Sequence, residues 1–248
     1  MNYSTRHPLN AEVRAIIQIL EARLGIPRQK KARAVPVDML IGTLLSQNTN
    51  DRNSHRAYTT LRKRFPTWKK VADAPVRAIA AAIRVGGMKN QKSARIKALL
   101  HGLKEQRGSY NLRGVEKLND DEVIENLTRF HGIGVKTAAC VLLFSLRRNI
   151  FPVDTHVHRI CNRLGLVRTN SPDKTFETMR PLIPDKKAYS FHTNLIRFGR
   201  SVCHARNPRC GRCPLFTACS FRDKRKYAAN TTDGLLRHDH KFMLLDEI

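Results

Sequence analysis

The sequence predicts an all-α protein, and three observations carry that expectation. Apolar residues recur at intervals of three and four, no stretch keeps up a two-residue alternation, and Asn, Asp, Ser or Pro before an apolar run is answered by Gly after it. The 248 residues are 41% hydrophobic, enough to bury a core in one large domain or two small ones. No run approaches the ~18 consecutive apolar residues of a membrane span, and the opening MNYSTRHPLN has no apolar signal-peptide core, so an intracellular protein is expected. Lys and Arg number 46 against 20 acidic residues, a net charge of +26. That excess needs an anionic partner. It is spread along the chain with no lipid-anchor motif or single basic amphipathic helix, so nucleic acid fits better than a membrane surface. Charge alone predicts salt-sensitive phosphate binding and says nothing about enzymology.

Taken in order, residues 10–25 read as a helix capped by Asn10, with Val13, Ile16, Ile17, Leu20 and Leu24 on one face and Gly25 at its end. A basic connection, Arg28 to Arg33, follows. The next helix starts at Pro36 and runs into the polar cluster LLSQNTND, where Ser46, Gln47, Asn48, Asn50 and Asp51 are either cap and loop residues or a polar site. Helices are expected at 51–64, at 75–84 with Pro75 in the first helical position, and at 90–106 with Asn90 as cap. Met88 lies in the Gly86-Gly87 break between the last two. Asn119 or Asp120 opens a further helix, and 135–147 is apolar nearly all round and therefore buried. Helices at 155–164, from Ser171-Pro172, and at 185–202 complete the set.

The stretch from Arg129 to His158 holds the chemistry. Gly132 and Gly134 flank Ile133 in a tight turn, glycine reaching positive φ without steric cost, and a helix opens directly behind it at Val135. Bare amides of such a turn, with the positive end of the helix dipole, form a cradle for phosphate. Lys136 stands in the first turn of that helix, where the dipole and neighbouring cations disfavour an ammonium and favour the neutral amine a nucleophile needs. Asp154 follows the rigid Phe151-Pro152-Val153 connection, at the N-cap of the next helix. A lysine beside a glycine turn is also a plain phosphate contact, and an aspartate there is also a plain cap. His156, two positions beyond Asp154, is either a surface residue or a group near the same site.

Four of the six cysteines, Cys203, Cys210, Cys213 and Cys219, fall in one loop as C-x6-C-x2-C-x5-C, while Cys140 and Cys161 lie on expected helices as buried thiols. Four thiols so close in an intracellular protein mean metal and not disulfides, and ligand chemistry alone leaves zinc and an iron-sulfur cluster open. Arg206, Arg209, Arg212, Arg222, Lys224, Arg225 and Lys226 make the loop strongly basic.

The run H-G-I-G-V-K-T-A at 131–138, V-D-T-H at 153–156 and the cysteine spacing together resemble the endonuclease III family of DNA glycosylases, over about residues 10–222. The resemblance implies a helix-hairpin-helix DNA glycosylase fold: a six-helix domain at 35–142, an iron-sulfur domain from 1–34 and 143–222 holding a [4Fe-4S] cluster on the four cysteines, and a loosely packed tail at 223–248. DNA would be gripped at the cleft between the domains. The activity implied is that of a bifunctional glycosylase/AP lyase of base excision repair that flips a damaged, oxidised pyrimidine out of the duplex. Asp154 would support departure of the base, Lys136 would attack C1′, and β-elimination from the Schiff base would nick the strand. Gly132, Gly134 and Val135 would hold phosphate, and His156 would approach the abasic sugar. Asn48 occupies the place of the family's gap-probing glutamine, and Met88, in GMKNQKSARI, that of its leucine wedge. His131 stands where the family usually has proline. The partner implied is double-stranded DNA with damaged or abasic sites, bound by a monomer at the nucleoid in the cytoplasm, or in a eukaryotic nucleus. Two rivals are a monofunctional mismatch thymine or adenine glycosylase, which would lack the lysine, and a non-enzymatic iron-sulfur DNA-binding protein.

Overall fold

Glycine, proline and short polar caps set the helix ends in the computed structural model, which describes residues 8–29 and 31–229. In chain order the α-helices are α1 (Pro8–Leu24), α2 (Pro36–Ser46), α3 (Asp51–Arg64), α4 (Trp68–Asp73), α5 (Val76–Ala82), α6 (Lys89–Arg107), α7 (Asp120–Thr128), α8 (Val135–Cys140), α9 (Thr155–Leu164), α10 (Pro172–Met179), α11 (Ala188–Ser201) and α12 (Lys224–Ala229). Among the described residues there is no strand, and no helix is long and apolar enough to cross a membrane. The chain divides into two compact units, residues 31–148 and residues 8–29 with 149–229.

In the first unit α2 is the centre, with Met39, Leu40, Ile41, Leu44 and Leu45 all buried, and it packs against α3, α6, α8 and the turn behind α8. An apolar helix has no solvent face to keep, so neighbours surround it. The expected 135–147 helix is α8 followed by a π-helical turn, Val141–Ser145. Arg147 then takes a left-handed φ of 61°, and the Arg148 guanidinium ties back to Asp120 (2.8 Å), Leu118 O (2.7 Å) and Glu116 O (3.0 Å). Arg147 also donates to Ala32 O at 3.1 Å, tying the two ends of this unit together.

Other ends shift for local reasons. Pro75 is the N-cap residue of α5, not its first helical residue, and α6 opens from a left-handed Met88 instead of from Asn90. The short α4 was not expected; Thr67 caps it, but only Val71 and Ala72 are buried, too few to show a period. Asn119 and Glu122 close a capping box on α7, with reciprocal bonds of 3.0 and 2.7 Å.

In the second unit α1 lies along α11, pinned where Glu21 accepts from Ser190 Oγ (2.6 Å) and Lys187 Nζ (2.8 Å). Asn10 is inside α1 and not its cap, whereas Gly25, at φ 77°, ends it as expected. The 185–202 helix begins later, at Ala188, because Pro184 to Lys187 form a turn with Lys186 left-handed at φ 59°. α11 also packs on α9, and Phe151 stacks on Phe191 at 5.0 Å. The expected loose tail is structured as far as Ala229: Lys224 at the start of α12 bonds Phe216 O (2.9 Å) and Cys219 O, and Tyr227 stacks on Phe221 at 6.0 Å. The rest of the expected tail, 230–248, lies outside the described residues.

Candidate functional site

Gly132 adopts φ 86°, and a β-carbon there would fall 2.9 Å from Arg95 Cδ, so the turn requires glycine twice over. Gly134 does not share the expected positive φ: it is extended (φ −102°), serves as N-cap of α8, and has open space where a β-carbon would stand. The turn's own bonds run from Ile133 N–H to Phe130 O (3.0 Å) and from the Thr137 and Ala138 amides to Gly134 O (2.9 and 3.1 Å). The amides of Gly134, Val135 and Lys136 lie outside that bonding, at the positive end of α8. Lys136 is half-buried as the second residue of the helix, and His131 is exposed on the turn's rim.

The polar cluster after α2 resolves mostly into structure. Ser46 bonds Thr43 O at 2.8 Å, Asn50 caps α3 through Asn53 N at 2.9 Å, and Gln47 Oε1 accepts from Arg95 at 3.1 Å. Asn48 is the exception. It is exposed and left-handed at φ 50°, and its Nδ2 reaches Met88 Sδ at 3.4 Å. Met88 is also left-handed, at φ 48°, and is 46% exposed. The structure thus brings together two residues separated by 40 positions that the family resemblance marks for the same task. A non-glycine residue in the left-handed region costs about 1 kcal/mol, least for Asn, and both loops carry that strain at their tips.

In the second unit Asp154 is the N-cap of α9, its Oδ1 accepting from Val157 N at 2.8 Å. His156 does not stand on the surface: it packs against Gly199, where even a methyl group would meet its Nδ1 at 2.7 Å, and it shares a 3.1 Å bond with Arg159. Burial lowers its basicity, with Arg159 and Arg200 adding to that and the Asp154 charge opposing it.

Cys203, Cys210, Cys213 and Cys219 line one cavity of about 340 Å³, mouth included, walled by Ile160, Leu164, Phe198, Val202 and Phe221. Arg163 donates to Cys203 Sγ and the Phe221 amide to Cys219 Sγ, both at 3.4 Å. Arg159 and Arg163, one turn apart on α9, also hold the Cys203 and His204 carbonyls at 2.7 Å each. Burial pushes the Cys213 thiol up to about 12 and raises those of Cys210 and Cys219, with charge on neighbouring cysteines adding to it. Thiols that burial holds in the neutral form at Cys210, Cys213 and Cys219 fit a site whose cationic charge comes from metal. Four cysteine sulfurs around one cavity are a donor set for either zinc or an iron-sulfur cluster. Cys140 and Cys161 are buried apart from this cavity, as expected.

Comparison with known proteins places this geometry. The family model of the HhH-GPD superfamily base excision DNA repair proteins matches residues 41–185, and that of the iron-sulfur binding domain of endonuclease III matches residues 203–219. Endonuclease III of Thermotoga maritima is 35% identical over 199 residues, covering 80% of this chain and 89% of the relative. A candidate DNA glycosylase of Arabidopsis thaliana is 40% identical over 168 residues; the match spans 67% of this chain but only 57% of that longer relative. A non-covalent endonuclease III–DNA complex has a similar structure, with a TM-score of 0.74, 25% identity, and coverage of 88% of this chain and 97% of that one. The fold and cysteine site are those of HhH-GPD base excision repair proteins, and within them the chain belongs to the endonuclease III family. Its cofactor is accordingly a [4Fe-4S] cluster.

Sequence reasoning passed over Lys92 and Arg95 in the first unit, which hold the Leu45 and Gly86 carbonyls and the Gln47 side chain, and Arg159 and Arg163 in the second, which hold the Cys203 and His204 carbonyls. In a chain with 46 Lys and Arg no signal marks the few that turn inward; only the apolar neighbours Ile96, Leu99 and Leu100 hint that one face of α6 is buried.

Proposed function

We propose that the chain excises oxidised pyrimidines from double-stranded DNA and nicks the resulting abasic site through Lys136. As a member of the endonuclease III family it is a DNA glycosylase with AP lyase activity. The observation that carries the assignment of the nucleophile is the position of Lys136, half-buried in the first turn behind a hairpin whose outward amides suit a phosphate of the damaged strand. In this reading the Lys136 amine forms a bond to C1′ as the glycosidic bond breaks and the base leaves with the electron pair. The sugar ring then opens to a C1′ imine, a proton is lost from C2′, and the 3′ phosphate departs. The Asp154 carboxylate, which caps α9 through Val157 N, supports base departure by stabilising positive charge on the sugar. Gly132, Gly134 and Val135 hold the phosphate, and Asn48 and Met88 fill the gap in the stack. His156 supports α9 from within and, through the side of its ring turned from Gly199, borders the sugar. The cluster, on Cys203, Cys210, Cys213 and Cys219, supplies folding of the basic loop and no chemical step. The protein acts as a monomer wherever chromosomal DNA lies.

Borohydride trapping on abasic duplex tests the nucleophile: wild type is expected to be captured covalently, and Lys136→Gln to bind the same DNA without trapping or nicking. Capture of the glutamine variant returns the monofunctional reading. A panel of duplexes with oxidised pyrimidines, mismatches and alkylated bases tests the substrate, with oxidised pyrimidines expected to be cleaved fastest.

A further inference from the structure

Among the described residues Lys92 is the largest fully buried side chain, 1% exposed, and it meets no carboxylate. Its ammonium donates instead to two backbone carbonyls, Leu45 O and Gly86 O, each at 2.8 Å. Both acceptors sit at the C-terminal ends of helical segments, α2 and the 3-10 turn Arg84–Gly86, where carbonyls lack helical partners and the dipole is negative. Leu45 is three residues before Asn48, and Gly86 two before Met88. One turn further along α6, Arg95 donates to Gln47, the residue next to Asn48, while its aliphatic stem fills the space beneath Gly132. Filling this volume needs no charge, since methionine would do it. Burial draws Lys92 down to about 8, so a charge retained here opposes folding and calls for a reason in what it holds.

We propose that Lys92 is a positioning residue for damage recognition: a single buried ammonium fixes the separation of the roots of the Asn48 and Met88 loops, so that the two side chains enter the duplex as one paired wedge. The 3.4 Å contact between Asn48 Nδ2 and Met88 Sδ is the outer end of the same arrangement, and Lys92 is the inner end. Two left-handed tips on unconnected helices would otherwise relax independently. The proposal rests on the reading that Asn48 and Met88 fill the gap left by the flipped base.

The test uses the full-length, cluster-containing protein and two duplexes, one with an oxidised pyrimidine and one with a preformed abasic site. In both, 2-aminopurine opposite the lesion reports unstacking. Lys92→Met is expected to slow single-turnover excision tenfold or more and to lose the 2-aminopurine rise, while cleavage of the abasic duplex falls less than threefold. Lys92→Gln, which keeps one donor, is expected to lie between, and it carries the test if the methionine variant does not fold. Leu99→Ala, buried on the same helix but remote from both carbonyls, provides the purely structural comparison and is expected to lower both substrates in parallel. A Lys92 variant that lowers both substrates in proportion, or leaves excision within twofold of wild type, overturns the proposal. Asn48→Ala and Met88→Ala run alongside: if they show the split and the Lys92 variants do not, only the positioning role falls, and if they show none, the wedge reading falls with it.

Discussion

At the scale of single residues, Gly132 and Gly134 look alike in sequence and differ in what they can tolerate. Gly132→Ala combines a φ of 86° with a 2.9 Å approach to Arg95 and is expected to cost about 2 kcal/mol of stability, read as a lowered melting temperature. Gly134→Ala fits its extended backbone and open surroundings, so its melting temperature should stay within about 1 °C of wild type while affinity for DNA drops about tenfold, because the methyl group occupies the path of a phosphate. Equal stability losses would remove that distinction. The same separation is available at Asp154. Asparagine caps a helix as well as aspartate does, so Asp154→Asn should keep the fold and the Val157 bond yet lose base excision, with some cleavage of preformed abasic sites remaining. Asp154→Ala also loses the cap, about 1 kcal/mol, and confounds the two effects.

Among the elements, α6 shows what a sequence can and cannot disclose. Its place in the chain was legible from the Gly86-Gly87 break before it, and so were the hairpin, the cap at Asp154 and the cysteine spacing, because each depends on neighbours within one or two turns. The inward lysine was not legible, since Leu45 lies 47 residues away and only the folded chain brings its carbonyl to Lys92. Nor was the π turn behind α8, whose bonds depend on Arg147 turning left-handed and Arg148 reaching back to α7. Burial of Lys92 carries a pH dependence whose sign is fixed. Its folded-state value, about 8, lies below the ordinary lysine value of 10.5, so between the two the unfolded chain binds the extra proton and stability rises with pH. Below about pH 8 both states are charged and the burial cost is felt in full. From about pH 7.5 to 9.5 wild type should therefore gain about 2 kcal/mol relative to Lys92→Met, measured by denaturant unfolding of both. A constant difference across that range would mean that the ammonium is better solvated than the structure places it.

For the molecule as a whole, a charge of +26 and a basic cysteine loop make DNA affinity steeply salt-dependent, with each neutralised phosphate adding about 0.9 to the slope of log K against log salt. That loop is built from more than its four cysteines. The sequence resemblance ends near Arg222, which made everything beyond it look loosely packed, but α12 follows at once and closes the loop from behind. Lys224 bonds two loop carbonyls, Phe216 O and Cys219 O, and lies 5.0 Å above the Phe216 ring; Tyr227 stacks on Phe221, whose amide donates to Cys219 Sγ and whose ring faces the Arg163 guanidinium at 4.4 Å. Truncation after Arg222 removes the lysine and the tyrosine together, about 2 kcal/mol of hydrogen bonding and stacking around one cluster ligand. Because cluster binding and folding of the loop are one equilibrium, that loss should appear as iron. The chain cut after Arg222 is expected to hold less iron and sulfide per molecule and to release it faster to a chelator, whereas the chain cut after Ala229 should match the full-length protein in both. Lys224→Ala should fall between them. Equal iron content in the two truncated chains would show that Cys203, Cys210, Cys213 and Cys219 hold the cluster without α12 behind them.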